Sequence, residues 1–308
     1  MTIQQLEYIL AVDRFRHFGK AAEHCLVTQP TLSAMIQKLE EELDVKIFDR
    51  STQPIQPTSV GRKVIEQARS VLAQAVKVKE IVNEEEQSLK GIFRLAILPT
   101  IAPYLLPRFF PKLMEDYPEI DIRVTEMKTQ DVLAALATGK IDAAVIATAE
   151  DDKSLKAETL FYEQFLGYVS RKESIFKNEM IRTADISGER LWLLDEGHCF
   201  RDQLMRFCQL EAVKLHQAAY HLGSMETFMR IVEGGKGVTF IPELASYQLS
   251  EEQKELVRPF AIPCPTREIS IVTRTDFVRH TVLNVLKERI RSSVPKEMLT
   301  LQSTQRVV

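Results

Sequence analysis

A chain of 308 residues with a formal net charge of -3 and 27% charged residues has the make-up of a globular protein of about two ordinary domains. No apolar run reaches the roughly 18 residues needed to span a membrane, and Met1 to Gln5 lacks the basic and apolar regions of a secretion signal, so a cytoplasmic protein is expected. Four cysteines in a chain this long exclude a disulfide scaffold and point to free, catalytic or redox-sensing thiols.

Residues 1–58 read as three short helices. Thr2 is placed to cap the first, and Ile3, Leu6, Ile9, Leu10 and Phe15 give it an apolar stripe. Gly19 is expected to break that pattern, with a short second helix over Lys20 to Leu26 whose Ala21-Ala22 pair lets another helix approach closely. Thr28 then caps a third helix with Pro30 in its first turn, and Leu32, Ile36, Leu39 and Leu43 repeat at helical spacing. A short helix, a tight turn and a longer helix make the helix-turn-helix pattern, in which the second helix enters the major groove by its N-terminal end. Here that end offers Gln29, Pro30, Thr31 and Ser33, with Gln37 and Lys38 one turn on, and Gln, Thr and Ser suit base edges and phosphates. Arg50, ahead of the Pro-containing hairpin Ser51 to Pro57, is placed as a wing contact to phosphate. A plain three-helix packing module fits the same pattern. Residues 1–63 carry eight basic and eight acidic side chains, so specific contacts rather than a basic field would have to carry DNA binding.

Val64, Ala68, Val71, Ala75, Val78 and Val82 follow a 4-3-4-3-4 spacing, a heptad seam along a helix over about 59–89. The surrounding surface is charged and polar, which favours self-association over packing on the rest of the chain.

From Phe93 onward strands and helices alternate. Strands are expected at 93–98, 120–127, 142–147, 161–170, 191–194, 217–222, 237–241 and 268–274. Helices are expected at 104–117, 129–139, 199–211, 224–234 and 278–292. This predicts α/β layers with a mostly parallel sheet, whose ligands sit at strand C-termini and helix N-termini. Thr100, Thr129, Ser224 and the pair His198-Cys199 all take such positions. Cys199 falls at a strand-to-helix junction and Cys208, nine residues on, lies among apolar residues. An accessible thiol and a buried one in one short stretch suggest a switch. A thiolate is favoured at a helix N-terminus, and Arg201 or His198 could add a neighbouring cation. Cys25 and Cys264 read as structural, and no histidine stands at metal-ligand spacing from a cysteine, so neither a metal nor another cofactor is expected.

Lys20-Ala21-Ala22, Thr28-Gln29-Pro30-Thr31-Leu32-Ser33 and Leu39-Glu40, with the block Gly197 to Gln203 and Cys208, resemble the LysR family of transcriptional regulators over essentially the whole chain. The cysteine block is similar to that of its hydrogen-peroxide-sensing members. The resemblance implies a winged helix-turn-helix at 1–58, a dimerising linker helix at 59–90, and a regulatory domain at 91–308. That domain would be of periplasmic-binding-protein type, in two α/β subdomains (about 91–162 with 268–308, and 163–267). It implies a peroxide site at Thr100, Thr129, His198 and Cys199, with Asp202 and Arg267 nearby, and a disulfide between Cys199 and Cys208. As partners it implies promoter DNA, RNA polymerase, a second copy within a homotetramer, and a thiol reductant of glutaredoxin or thioredoxin type. Nine residues of helix separate Cα atoms by roughly 13 Å, against the about 4.4–6.8 Å of a disulfide, so the segment 199–208 must partly unfold to close it. Two other readings compete. A LysR-type regulator gated by a small inducer in the subdomain cleft would leave Cys199 incidental. A thiol peroxidase would leave residues 1–90 unexplained and lacks a Cys-x-x-Cys recycling motif, so a non-enzymatic sensor is preferred.

Overall fold

The computed structural model describes residues 1–86, 89–147, 152–186, 191–194, 199–208 and 224–308. They fall into two compact units, Met1–Gln87 with Ala137–Lys140, and Ser88–Leu136 with Ile141–Val308. Among the described residues no helix is long and apolar enough to cross a membrane.

The first unit opens with α1 (Ile3–Phe15), α2 (Phe18–His24) and α3 (Gln29–Leu43). A side-chain cap sets each start by satisfying orphan N–H groups of the first turn. Thr2 and Gln5 form a capping box on α1, His17 Nδ1 accepts from the Gly19 and Lys20 amides, and Thr28 Oγ1 accepts from the Thr31 amide. The break between α1 and α2 lies at Arg16, whose φ is 51°, rather than at Gly19. The His17 cap starts α2 two residues before Lys20, and Gly19 sits in its first turn. A two-stranded antiparallel wing, β1 (Phe48–Asp49) and β2 (Gln56–Pro57), leads into α4 (Ser59–Glu85). Gly61 is required at that entry, because a Cβ there would stand 1.9 Å from the Ile47 carbonyl oxygen. Ile9, Val12, Leu32, Ile36 and Leu39 form the fully buried centre of this unit, and Ile65 and Ala68 of α4 pack against them.

The second unit runs β3 (Gly91–Ile97), α5 (Ala102–Asp116), β4 (Ile120–Glu126), α6 (Thr129–Ala137), β5 (Ala143–Ile146) and β6 (Leu155–Val169). It continues with α7 (Cys199–Phe207), α8 (Met225–Gly234), β7 (Val238–Pro242) and the one-turn helices α9 (Glu243–Ser246) and α10 (Glu251–Lys254). It ends with β8 (Val257–Pro259), β9 (Cys264–Arg274), α11 (His280–Ser293) and β10 (Gln305–Val307). The sheet order is β4-β3-β5-β9-β6-β7, with β10 beside β9 and β8 beside β6. The helix-linked strands β4, β3 and β5 are parallel, as expected for βαβ units. The expectation of a mostly parallel sheet is corrected beyond them. β9 runs antiparallel to β5 and β6, and β6 antiparallel to β7 and β8, because β6 and β9 are long strands that pair directly rather than through a single crossover helix. In place of a strand at 191–194 there is one bridge, Leu191 to Val238. The strand expected at 217–222 and the end of the helix expected to reach 211 lie outside the described residues. The subdomain borders read from the sequence, 162/163 and 267/268, fall inside β6 and β9, where Glu163 faces Arg267.

Candidate functional site

In α3 the buried side chains Leu32, Ile36 and Leu39 face the core, while Gln29, Pro30, Thr31, Gln37 and Lys38 are exposed and Ser33 is half-buried. The residues read as DNA contacts thus share the outer face and leading end of one helix. Arg50 is also a brace. It donates to Ser33 Oγ at 3.0 Å, lies 5.0 Å from the Phe18 ring centroid, and pairs at 3.5 Å with Glu40. From the sequence Glu40 entered only as part of the Leu39-Glu40 pair, with no role assigned. Its buried carboxylate accepts from the Ile47 and Phe48 amides at 2.7 and 3.2 Å and ties α3 to the wing. The signal was available: Glu40 stands four residues after Ile36, in phase with the buried face.

The heptad seam of α4 divides. Val64, Ala68 and Val71 pack on the first unit's own core, so that half of the seam is covered by its own chain. Farther on, Val78, Ile81 and Val82 are exposed on one side of the helix, Val78 by 67%, and form an apolar stripe.

The second site gathers at one edge of the sheet. Ile97 of β3 is in register with Glu126 of β4, and Thr100 and Thr129 each stand three residues beyond. Both therefore lie off the carboxyl ends of adjacent parallel strands, the usual ligand edge of an α/β sheet. The buried Gln203 amide of α7 donates at 3.1 Å to the carbonyl of Ala147, just past β5, and at 2.9 Å to that of Val308. Cys199 is the first residue of α7 and is half-buried. Phe200 is buried in the core, in contact with the Phe165 ring.

Arg267 joins these parts. It is 1% exposed, and its guanidinium carbon lies 5.1 Å from the Phe200 ring centroid. One terminal nitrogen donates to Thr100 Oγ1 and the other to the Thr100 carbonyl, each at 3.0 Å. Nε and NH2 approach Glu163 Oε2 at 2.9 and 2.7 Å, and Glu163 Oε1 accepts from the Leu244 amide at 3.0 Å. Breaking such a buried pair by removing one partner costs about 3–5 kcal/mol. Thr129 Oγ1 is buried and finds no hydrogen-bond partner among the described residues, which leaves a hydroxyl ready for a small polar ligand. Asp202 is exposed. His198 lies outside the described residues.

The two thiols differ. Cys208 is 6% exposed, and burial pushes its thiol up to about 12. At neutral pH it is therefore protonated and unreactive. Cys208 N–H still donates to the Leu204 carbonyl, so α7 is intact between the cysteines and all four thiols are free. Cys264 Sγ donates to the Phe260 carbonyl at 3.4 Å and Cys25 ends α2. Burial raises both thiols.

Residues 3–62 match the bacterial regulatory helix-turn-helix protein, lysR family, and residues 86–295 match the LysR substrate binding domain. The chain belongs to the LysR family of transcriptional regulators: a DNA-binding winged helix-turn-helix followed by an α/β regulatory domain. Within that family it resembles OxyR. It is 34% identical over 292 residues, 95% of each chain, to the DNA-binding transcriptional dual regulator OxyR of Escherichia coli K12. It is 33% identical over 98% of its length and 99% of the relative's to the hydrogen peroxide-inducible genes activator of Pectobacterium carotovorum. Among solved structures, OxyR from Porphyromonas gingivalis is 50% identical with a TM-score of 0.67, covering 71% of this chain and 99% of that one. A full-length OxyR variant from Pseudomonas aeruginosa is 34% identical with a TM-score of 0.75, covering 94% and 98%.

Proposed function

We propose that this regulator senses hydrogen peroxide through Cys199 and signals by forming a Cys199–Cys208 disulfide that changes promoter binding and activation. The observation that carries the reading is the placement of Cys199. It opens α7 directly before Phe200, whose ring lies against Arg267 of the Thr100 network, while the thiol nine residues on is buried and protonated. The likeness to relatives named as hydrogen peroxide-inducible activators supports it.

The Cys199 thiolate attacks one peroxide oxygen and the O–O bond breaks. The departing hydroxide takes a proton and leaves as water, and the sulfur, oxidised by two electrons, becomes a sulfenic acid. Thr100 Oγ1 accepts from Arg267, which leaves its own proton to donate. Thr129 Oγ1 and the His198 imidazole are further donors toward the peroxide. The Cys208 sulfur then attacks the Cys199 sulfur, and a second water leaves. Helical geometry holds the cysteines roughly 13 Å apart, so α7 must open first, which also exposes the Cys208 thiol. A covalent bond thereby stabilises a second packing of 199–208.

The exposed stripe of α4 forms the dimer seam, and two dimers make a tetramer that presents paired reading heads to promoter DNA. The regulatory domain works as two subdomains joined where β6 and β9 pair. A glutaredoxin- or thioredoxin-type reductant resets the disulfide, and RNA polymerase receives the activated form. The test is a stoichiometric dose of peroxide with second-scale quenching, followed by intact mass and peptide mapping. Loss of two protons and a linked Cys199–Cys208 peptide, both absent in Cys199→Ser, are expected. An unmodified Cys199 would refute the reading.

A further inference from the structure

Along α3 the polar side chains Gln29, Ser33, Gln37 and Glu41 are spaced by four. Residues four apart on a helix are surface neighbours, so these form one continuous strip. Two members of the strip are held from one side. Arg50 donates to Ser33 Oγ at 3.0 Å, and Gln37 Nε2 donates to Glu41 Oε1 at 2.9 Å. Chemistry sets the polarity of the second contact. A carboxylate only accepts, so the nitrogen of the Gln37 amide must face Glu41 and its oxygen must face away. Gln37 is left with one acceptor, Oε1, and one remaining N–H to offer.

That remainder matches one base. In the major groove adenine shows a donor, N6–H, beside an acceptor, N7, and a glutamine amide meets both at once. Guanine shows two acceptors, N7 and O6. To satisfy both, the amide needs both of its N–H groups, and Glu41 has taken one. Turning the amide over to free them would set Oε1 against the Glu41 carboxylate, acceptor against acceptor. We propose that Glu41 is a positioning residue for base recognition: by holding the Gln37 amide in one orientation it commits that side chain to adenine and against guanine. The proposal rests on the reading of α3 as the helix that enters the major groove, and it is independent of the thiol chemistry. Glu41 acts without touching DNA. It stands eight residues, roughly 12 Å, beyond Ser33 along the helix, away from the leading end that contacts base edges.

The experiment selects duplex DNA from a randomised pool with the reduced full chain, then measures binding of the enriched duplex with each base pair exchanged in turn. Gln37→Ala marks the base pair that Gln37 reads, as the one whose preference disappears. At that pair the wild type should favour adenine over guanine by roughly ten-fold, the discrimination of one good two-bond contact. In Glu41→Ala and in Glu41→Gln, where no carboxylate fixes the amide, the ratio should fall to within about two- or three-fold. The readout is a ratio between two bases on one protein, so a general gain in affinity from removing a negative charge cancels. Glu41 is exposed, and alanine and glutamine are both good helix formers, so the variants keep the fold of the head. A wild type that prefers guanine at the marked pair, or an adenine preference kept in full by both Glu41 variants, would overturn the assignment. A motif unchanged in Gln37→Ala would remove Gln37 from the groove and overturn the proposal together with that part of the reading face. None of these outcomes bears on peroxide sensing, because the chain stays reduced throughout.

Discussion

Replacing Gln203 with leucine tests what holds α7 closed. The wild-type amide bridges the carbonyls of Ala147 and Val308 at 3.1 and 2.9 Å from a fully buried position. Leucine has similar bulk but no donor, so both carbonyls lose their partner. At about 0.5–1.5 kcal/mol for each net hydrogen bond, the closed packing weakens by about 2 kcal/mol. Since 1.4 kcal/mol is a tenfold change, the opened fraction of 199–208 rises about thirty-fold. Two readouts follow. Amide hydrogen exchange over Phe200 to Phe207 should accelerate by that factor. After a peroxide pulse, the Cys199 sulfenic acid should also collapse to the disulfide correspondingly faster, as seen by trapping at timed intervals. Unchanged exchange and an unchanged lifetime would refute the idea that opening of α7 limits the switch.

Three further outcomes are expected. Thr129→Val should leave thermal stability unchanged or slightly raised, because the lost hydroxyl had no partner among the described residues, while peroxide oxidation of Cys199 slows; oxidation at the wild-type rate would remove Thr129 from the site. The buried Cys208 thiol stays protonated in the folded chain up to about 12, against an ordinary value of 9.0, so its contribution to stability is complete below pH 9. It is lost as pH rises from 9 to 12, by about 4 kcal/mol in all at 1.36 kcal/mol per unit. Urea unfolding of wild type and Cys208→Ala should therefore converge with rising pH, and a constant difference between pH 8 and 10 would contradict this. Paired Val78→Lys and Val82→Lys substitutions should abolish, in sedimentation, the dimer proposed to form through α4, without changing the fold of the head; an intact dimer would place the seam elsewhere.

The sequence made the strand ends and helix starts legible because each is a local event. Thr100 follows a short apolar run, Thr129 opens a helical pattern, and Thr28 and Pro30 announce α3 on their own. Glu163 and Arg267 were beyond reach as a pair. They lie more than a hundred residues apart, and only the register of β6 on β9 brings them together. Arg267 entered the reading through resemblance, Glu163 not at all. Gln203 and Glu40 are a different case: both sit in phase with the buried stripe of their helix, but a polar residue in that phase is easily passed over. The parallel sheet was over-extended for a related reason. Periodicity identifies β6 and β9 as strands and carries no information on their direction relative to each other.

The Glu40 carboxylate fastens α3 to the wing from inside the head, through backbone amides and the Arg50 guanidinium. Gln29, Thr31, Gln37 and Lys38 of that helix are exposed. The scaffold that aims this helix and most of the residues proposed to read DNA are thus separate sets, with Arg50 and Ser33 belonging to both. Over evolutionary time such a head can change its target sequence one exposed side chain at a time, without passing through an unfolded or misaligned intermediate.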